Sequence, residues 1–173
     1  MFHLKKIIKI FISLQIIIFS TFLPVVIPIP YTNQFIQTFD IPISWQVPSI
    51  VLITLIFKRE VVTISFSIYL LIGLFFLPVF HNGGSLGYLL TPNFGYLLGT
   101  YPLVIIIDKL NKLNHRISFY ELIKYGILGI CSMHIIGIIY TIIQILIFKK
   151  PELLLYNISK YSLGKFGYHL LML

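Results

Sequence analysis

The sequence predicts an all-α integral membrane protein, a bundle of about six transmembrane helices folded as a single transmembrane domain over residues 1–173. Three observations carry that expectation: 58% of the side chains are hydrophobic, only 10% are charged, and the basic residues gather in short clusters between long apolar runs. A soluble domain would carry roughly a quarter charged residues to cover its surface, so a water-facing globule is excluded. At a mean hydropathy of +0.97 and about 20 apolar residues per span, the length holds about five to seven helices with short loops.

Thirteen Lys and Arg against five Asp and Glu give a net charge of +8. In a soluble domain that balance would point to nucleic acid. In a membrane protein it reports topology, because basic segments resist translocation and collect in cytoplasmic loops. No basic patch is interleaved with stacking aromatics, so nucleic acid is not an expected partner; membrane lipid is. Cys131, the one cysteine, lies inside an apolar run, which leaves no disulfide framework, C-x-x-C or Cys/His zinc spacing. No metal and no cofactor are expected.

Lys5, Lys6 and Lys9 precede an apolar run over residues 10–27 without a small-x-small cleavage site, so a retained first helix is expected over residues 7–27, starting in the cytoplasm. Residues 28–44 hold Pro28, Pro30, Pro42, Asn33, Gln34, Gln37 and Asp40 but no Lys or Arg, and are expected to form an outer, partly interfacial loop. A short second helix over 45–57 ends at Lys58, Arg59 and Glu60, a cytoplasmic turn by the charge rule. The third span, 61–77, stops at Pro78. Residues 81–99 are polar and glycine-dense, and irregular backbone at membrane depth is tolerated only where it is buried in protein or lines a cavity. A fourth span over 93–107 leads to a basic loop with Lys109, Lys112, His115, Arg116 and Lys124, again cytoplasmic. The fifth, 125–148, carries Cys131, His134 and Gln144. Residues 151–161 are expected to be an interfacial amphipathic segment and 162–173 a short sixth helix, with a start near Glu152 as the alternative. The topology is therefore multi-pass in the cytoplasmic membrane, with a cytoplasmic N-terminus.

Polar groups in hydrocarbon are costly unless paired, so polar clusters at that depth are candidate sites. Three fall on the outer half: residues 41–46, residues 82–93 with Tyr96, and Lys160, Lys165, Tyr168 and His169. Converged, they would make one pocket open to the outside. Gln46, Asn82 and Asn93 supply amide donors and acceptors; Gly83, Gly84 and Gly87 admit close backbone approach; Tyr69, Tyr88, Tyr96 and Phe80 offer flat walls; Lys165 would face a carboxylate. That chemistry suits a small molecule with an amide-like head and an apolar body. The blander reading of Gly95 and Gly99, a G-x-x-x-G, is helix packing. Asn82 and Asn93 can equally be caps, and His134 is expected to be a satisfied interior polar group. An enzyme alternative exists in G-x-S-x-G at residues 83–87, with Ser85 as the nucleophile of an intramembrane serine protease. The motif follows a membrane helix rather than a strand, and glycine-rich sequence yields it cheaply.

Pro42 and Gln46, then YLLIGLFFLPVF at residues 69–80, NGG at 82–84 and PNFGYLLG at 92–99 resemble the BioY family, the substrate-binding S components of energy-coupling-factor (ECF) vitamin transporters that capture biotin. The family pattern runs P-x-x-x-Q, Y-L-x-x-G-x-x-x-L-P-V-F, a glycine-rich turn and P-x-x-G-Y-L-x-G in that order. The resemblance implies a six-helix bundle that holds the vitamin under loop lids on its outer face. It also implies no chemistry of its own, and partners in a transmembrane coupling subunit and ATPase subunits. Gln46, Asn82 and Asn93 then match the ureido head of biotin, Tyr69 and Tyr96 its ring, and Lys165 its carboxylate tail, beside Gly83 and Gly84. The chain departs from the family where the last helix usually begins G-D-x-x-K: Gly164, Lys165, Phe166, Gly167 and Tyr168 stand there, aligning Lys165 with the acid and Tyr168 with the lysine. Thr91 replaces a family glycine, and the 28–40 loop is long. The expected ligand is biotin or a related small vitamin; a small non-transporting membrane subunit is the alternative.

Overall fold

The computed structural model describes residues 2–30, 36–81, 83–113 and 116–172, and the chain is mostly helical. Helix α1 (Phe2–Phe22) stops just before Pro24, whose ring disfavours helical backbone in the residue ahead of it. Helices α2 (Gln46–Ile56) and α3 (Arg59–Phe75) are joined by the tight basic turn that the charge pattern marks. The predicted fourth span is two pieces, α4 (Pro92–Leu98) and α5 (Thr100–Asp108). The reason is local: Pro102 has no N–H to bond the Leu98 carbonyl, so the ladder breaks one turn before it.

Helix α6 (Phe119–Phe148) is long and apolar enough to cross a membrane. It begins on a capping box in which Ser118 Oγ accepts from the Glu121 N–H at 3.2 Å and Glu121 Oε2 accepts from the Ser118 N–H at 2.9 Å. It ends where Lys149 turns left-handed at φ 53° and the Lys149 and Lys150 N–H groups both reach back to Ile145 O. A single turn at Pro151–Leu153 then leads into α7 (Leu154–Ile158), a π-helical segment (Ser159–Leu163) and α8 (Gly164–Leu171). These pieces abut without a break. The expected division into an interfacial segment to residue 161 and a helix from 162 is therefore corrected: the helical path starts near Glu152, the alternative start.

The expectations of a first helix reaching residue 27 and of a loop over residues 28–44 are also corrected. Strands β1 (Pro24–Pro30) and β2 (Ile36–Ser44) pair antiparallel, Val25 opposite Ile41 and Ile27 opposite Phe39. Residues 31–35, with Asn33 and Gln34, lie outside the described residues, as does His115. In a two-stranded ribbon each strand keeps one free edge, so prolines that a central strand would exclude are tolerated. The β-branched Val25, Val26, Ile27, Ile41 and Ile43 suit the pleat. Val25 and Ile43 turn into the bundle, whereas Val26, Ile27 and Phe39 are exposed.

Packing follows the apolar faces: α1 on α3, α2 on α5, and both α4 and α5 on α6. The shared core holds Ile17, Ile50, Phe66, Tyr69, Phe80, Leu103 and Ile130. Cross-helix hydrogen bonds sit inside it: Ser65 Oγ donates to Ile10 O at 3.0 Å, and Ser67 and Tyr101 hydroxyls lie 2.8 Å apart. Gln144 Nε2 and Tyr140 Oη both donate to Leu89 O, at 2.9 and 2.6 Å. Gly95 and Gly99 form the packing face that their spacing suggests, against Tyr140 and the Met133 backbone of α6.

One end of the bundle gathers the basic side chains. Lys6 pairs with Glu60, the Arg59 N–H donates to Asp108 Oδ1 at 3.3 Å, Lys112 Nζ lies 3.5 Å from Asp108 Oδ2, and Asn111 Nδ2 donates to Thr54 O at 2.7 Å. These contacts tie the start of α1, the α2–α3 turn and the end of α5 together.

A Cβ at Gly99 would collide with the Met133 main chain, which cannot swing aside, whereas one at Gly167 meets open space. Gly99→Ala is expected to lower stability by about 1–3 kcal/mol through overpacking, and Gly167→Ala to be neutral or slightly stabilising. Thermal unfolding in detergent measures both.

Candidate functional site

At the end opposite the basic cluster, α2, α3, α4, α6 and α8 surround a cavity. It has about 90 Å³ of space reachable by the centre of a water molecule, where a single water needs about 10–15 Å³. Strand β2 roofs it with Pro42, Ile43 and Ser44. The hairpin that the sequence hides as a proline-rich loop is thus part of the wall.

Five of the predicted site residues, Gln46, Tyr69, Asn93, Tyr96 and Lys165, line this one cavity. They arrive from separate elements. Gln46 is the first residue of α2, seated where the Trp45 N–H donates to Leu23 O at 3.2 Å and fixes the hairpin's exit. Tyr69 lies midway along α3, its hydroxyl 3.3 Å from Thr21 Oγ1 and donating to Val79 O at 3.3 Å. Asn93 and Tyr96 sit one turn apart on α4, whose Pro92 occupies the first helical turn, where a missing N–H does no harm. Lys165 is on α8, with Nζ 5.7 Å from the centre of the Tyr161 ring.

The remaining three differ. Asn82 lies outside the described residues. Gly83 and Gly84 are not among the lining residues: Gly83 closes a turn with Phe80 at φ 127°, and a Cβ on Gly84 would strike the Gly73 carbonyl and Pro78. At Gly84 the close approach is backbone to backbone, whereas at Gly83 a Cβ would meet open space and the left-handed φ is what favours glycine. Sequence reasoning passed over Thr100, Met133 and Tyr161, whose polar or flat surfaces carry no signal until α6 and α8 are brought beside α4. His169 belonged to the third polar island, and it lines the cavity too. Tyr168, aligned with the family lysine, does not.

Two features define what the cavity will accept. The first is unmade hydrogen bonds: Gln46 Nε2 and Tyr96 Oη are buried and make no hydrogen bond of good geometry, although Tyr69 stands near the first and Ser162 and Thr141 near the second; the third such side-chain atom among the described residues is Ser13 Oγ in α1. A buried unpaired donor costs about 1–3 kcal/mol, so these atoms favour a ligand that satisfies them. The second is charge. The chain's carboxylates are Asp40, Glu60, Asp108, Glu121 and Glu152, and none lines the cavity. His81, in the turn after α3, is exposed, and its imidazole is held below its usual pKa, first by partial desolvation and then by the charge of Lys165. Lys165 is the cavity's one basic amine, half-buried and without a carboxylate partner among the described residues. The aromatic wall is rigid: Tyr69 packs edge-on to Phe80 at 5.2 Å, Phe80 on Tyr88 at 4.6 Å, and Tyr88 Oη donates to His81 O at 3.1 Å.

Ser85, the candidate nucleophile, is exposed and lies by a separate depression lined by Leu74, Phe75, Phe76, Leu77, Pro78 and Gly84, without a histidine. His134 and His169 instead bond each other at 3.1 Å, so His134 is satisfied as expected. Among the described residues, no group of three or more His, Cys, Asp and Glu side chains could hold a metal.

An apolar cavity with convergent amide and hydroxyl groups and one cation is the site of a small-molecule binding protein. Comparison of sequences makes the class specific. The model of the BioY family matches residues 1–160, and the chain belongs to the BioY family. Among solved structures, the crystal structure at 2.1 Å of the S-component for biotin from an ECF-type ABC transporter shares the fold. It is 23% identical, with 98% of this chain and 87% of that chain covered and a TM-score of 0.64. Comparison with curated proteins returns no match.

Burying a cation without a partner is costly. Lys165→Met is therefore expected to raise the thermal stability of the empty protein, by about 1 kcal/mol or more, while removing anion binding. A fall in the melting temperature would mean that the ammonium is already paired.

Proposed function

We propose that this protein is the biotin-binding S component of an ECF transporter. It captures biotin, or a closely related vitamin, from the outer face of the cytoplasmic membrane and associates with a transmembrane coupling subunit and ATPase subunits. The observation that carries this reading is the placement of the unpaired Gln46 amide, the unpaired Tyr96 hydroxyl and the lone cation Lys165 around one cavity. Biotin brings the complements: a ureido ring with two N–H donors and a carbonyl, an apolar thiophane ring, and a carboxylate. Gln46, Asn93 and Tyr96 would take the ureido group, Tyr69 and the aromatic wall would flank the ring, and Lys165 would hold the tail. Asn82 is proposed as a further amide contact, with Gly83 and Gly84 shaping the turn that carries it. None of these tasks requires a catalytic group.

The membrane reading rests on the same physics. Large apolar side chains such as Phe11, Phe19, Leu71, Phe75, Ile135 and Leu146 are exposed on the bundle's flanks, a surface that suits lipid. Taking α4 with α5, and α7 with α8, as one span each gives six spans in a single transmembrane domain. The 30 residues of α6 reach about 45 Å at 1.5 Å per residue, more than the hydrocarbon thickness of about 30 Å, whereas the 21 residues of α1 include Lys5, Lys6 and Lys9 in its first turns. The end bearing Lys5, Lys6, Lys9, Lys58, Arg59 and Lys112 is cytoplasmic by the positive-inside rule, which puts the N-terminus inside and the cavity outside. Lys149 and Lys150 run against the tally.

Isothermal titration of the purified protein with biotin is expected to give a saturable signal at micromolar concentrations or below; no heat and no thermal protection would overturn the reading. Lys165→Met is expected to weaken biotin at least tenfold yet leave the affinity for biotin methyl ester unchanged, since the ester carries no charge to pair. An equal loss for acid and ester would remove Lys165 from the tail. Uptake of labelled biotin by a host lacking its own transporter separates a transport subunit from a non-transporting one.

A further inference from the structure

Behind the cavity wall lies a hydrogen-bonded chain that the biotin reading above does not use. His134, buried midway along α6, has both ring nitrogens engaged: Nδ1 lies 3.0 Å from Ser162 Oγ in the π-helical segment, and Nε2 lies 3.1 Å from His169 Nδ1 on α8. Its ring is clamped edge-on by Tyr96 at 5.4 Å and Phe166 at 5.2 Å. His169 is also buried, yet it lines the cavity. Its Nδ1 is taken by His134, which leaves Nε2 as the ring nitrogen open to a ligand.

The position of His169 sets what it can meet. Tyr161, Lys165 and His169 follow one another at intervals of four residues, and all three face the cavity. His169 is one turn, about 6 Å along the helix, from Lys165, and its partner His134 packs against Tyr96, another lining residue.

A neutral imidazole has one donor and one acceptor nitrogen, so the chain has a direction. If Ser162 Oγ donates to His134 Nδ1, then His134 Nε2 donates to His169 Nδ1 and His169 presents an N–H to the cavity. If His134 Nδ1 donates to Ser162, every bond reverses and His169 presents an acceptor. With no carboxylate lining the cavity and Lys165 already charged beside it, neutral imidazoles are the form that this surrounding favours.

We propose that His169 is a specificity-determining residue of this site. In this role His169 Nε2 hydrogen-bonds the polar group of the ligand that reaches the part of the cavity beside Tyr96, and His134 and Ser162 are positioning residues that fix the ring and relay its donor or acceptor character. The inference rests on the biotin reading and adds to it a ligand contact that its polarity can match to either a carbonyl or an N–H.

The test uses the full chain in detergent, with biotin as the probe. His169→Phe, which keeps a flat ring without nitrogens, is expected to weaken biotin about tenfold or more. His169→Gln, whose amide nitrogen falls near the place of Nε2, is expected to recover most of the affinity. In wild-type protein labelled with ¹⁵N-histidine, the His169 Nε2 resonance is expected to shift when biotin saturates the site, a readout that does not depend on any variant folding. Wild-type affinity in His169→Phe, or an Nε2 resonance unmoved by saturating biotin, overturns this inference alone. Absence of biotin binding by the wild type overturns the reading on which it rests.

Discussion

Five carboxylates must serve thirteen basic side chains in this molecule, and where those five sit governs the rest. Glu60 and Asp108 lock the basic end, linking α1 to α3 and the α2–α3 turn to the end of α5. Glu121 starts α6 through its capping box. Asp40 and Glu152 belong to the hairpin and to the turn before α7, and neither reaches the cavity. Lys165 is left facing the cavity without a counter-charge. In an apolar bundle such a group marks a candidate site, and the carboxylate of the proposed ligand would supply the missing counter-charge.

The same division explains the polarity of the structure along its long axis. One end is closed by charge pairs and side-chain-to-backbone bonds; the other is closed by a two-stranded ribbon and a short glycine turn. Rigid closure suits the end that has no ligand to admit. The ribbon packs Val25 and Ile43 inward and leaves Val26, Ile27 and Phe39 exposed, so it is held by a few side chains.

Much of the site was legible in the sequence because polar residues at membrane depth need a reason to be there. Gln46, Asn93, Tyr96 and Lys165 stood out on that argument, and the fold brings them together. What escaped was non-local or context-dependent. The hairpin depends on pairing across residues 24–44, and its prolines read as loop unless the strand edges are known to be free. The π segment inside the last helix and the break at Pro102 alter register without altering composition. His134 looked solitary because its partners, Ser162 and His169, lie 28 and 35 residues away along the chain. Gly83 and Gly84 suggested ligand approach, but the chain itself comes close at Gly84, and Gly83 serves a left-handed turn.

The central claim is that the unpaired Gln46 amide, the Tyr96 hydroxyl and the Lys165 ammonium form one ligand site. A structure determined with biotin present tests it most directly. The account predicts density for the ligand beneath β2, with the carboxylate within about 3 Å of Lys165 Nζ and a ureido atom within hydrogen-bond reach of Gln46 or Tyr96. Biotin bound elsewhere on the bundle, or seated in the cavity with its carboxylate turned away from Lys165 and these polar atoms still unpaired, would contradict it.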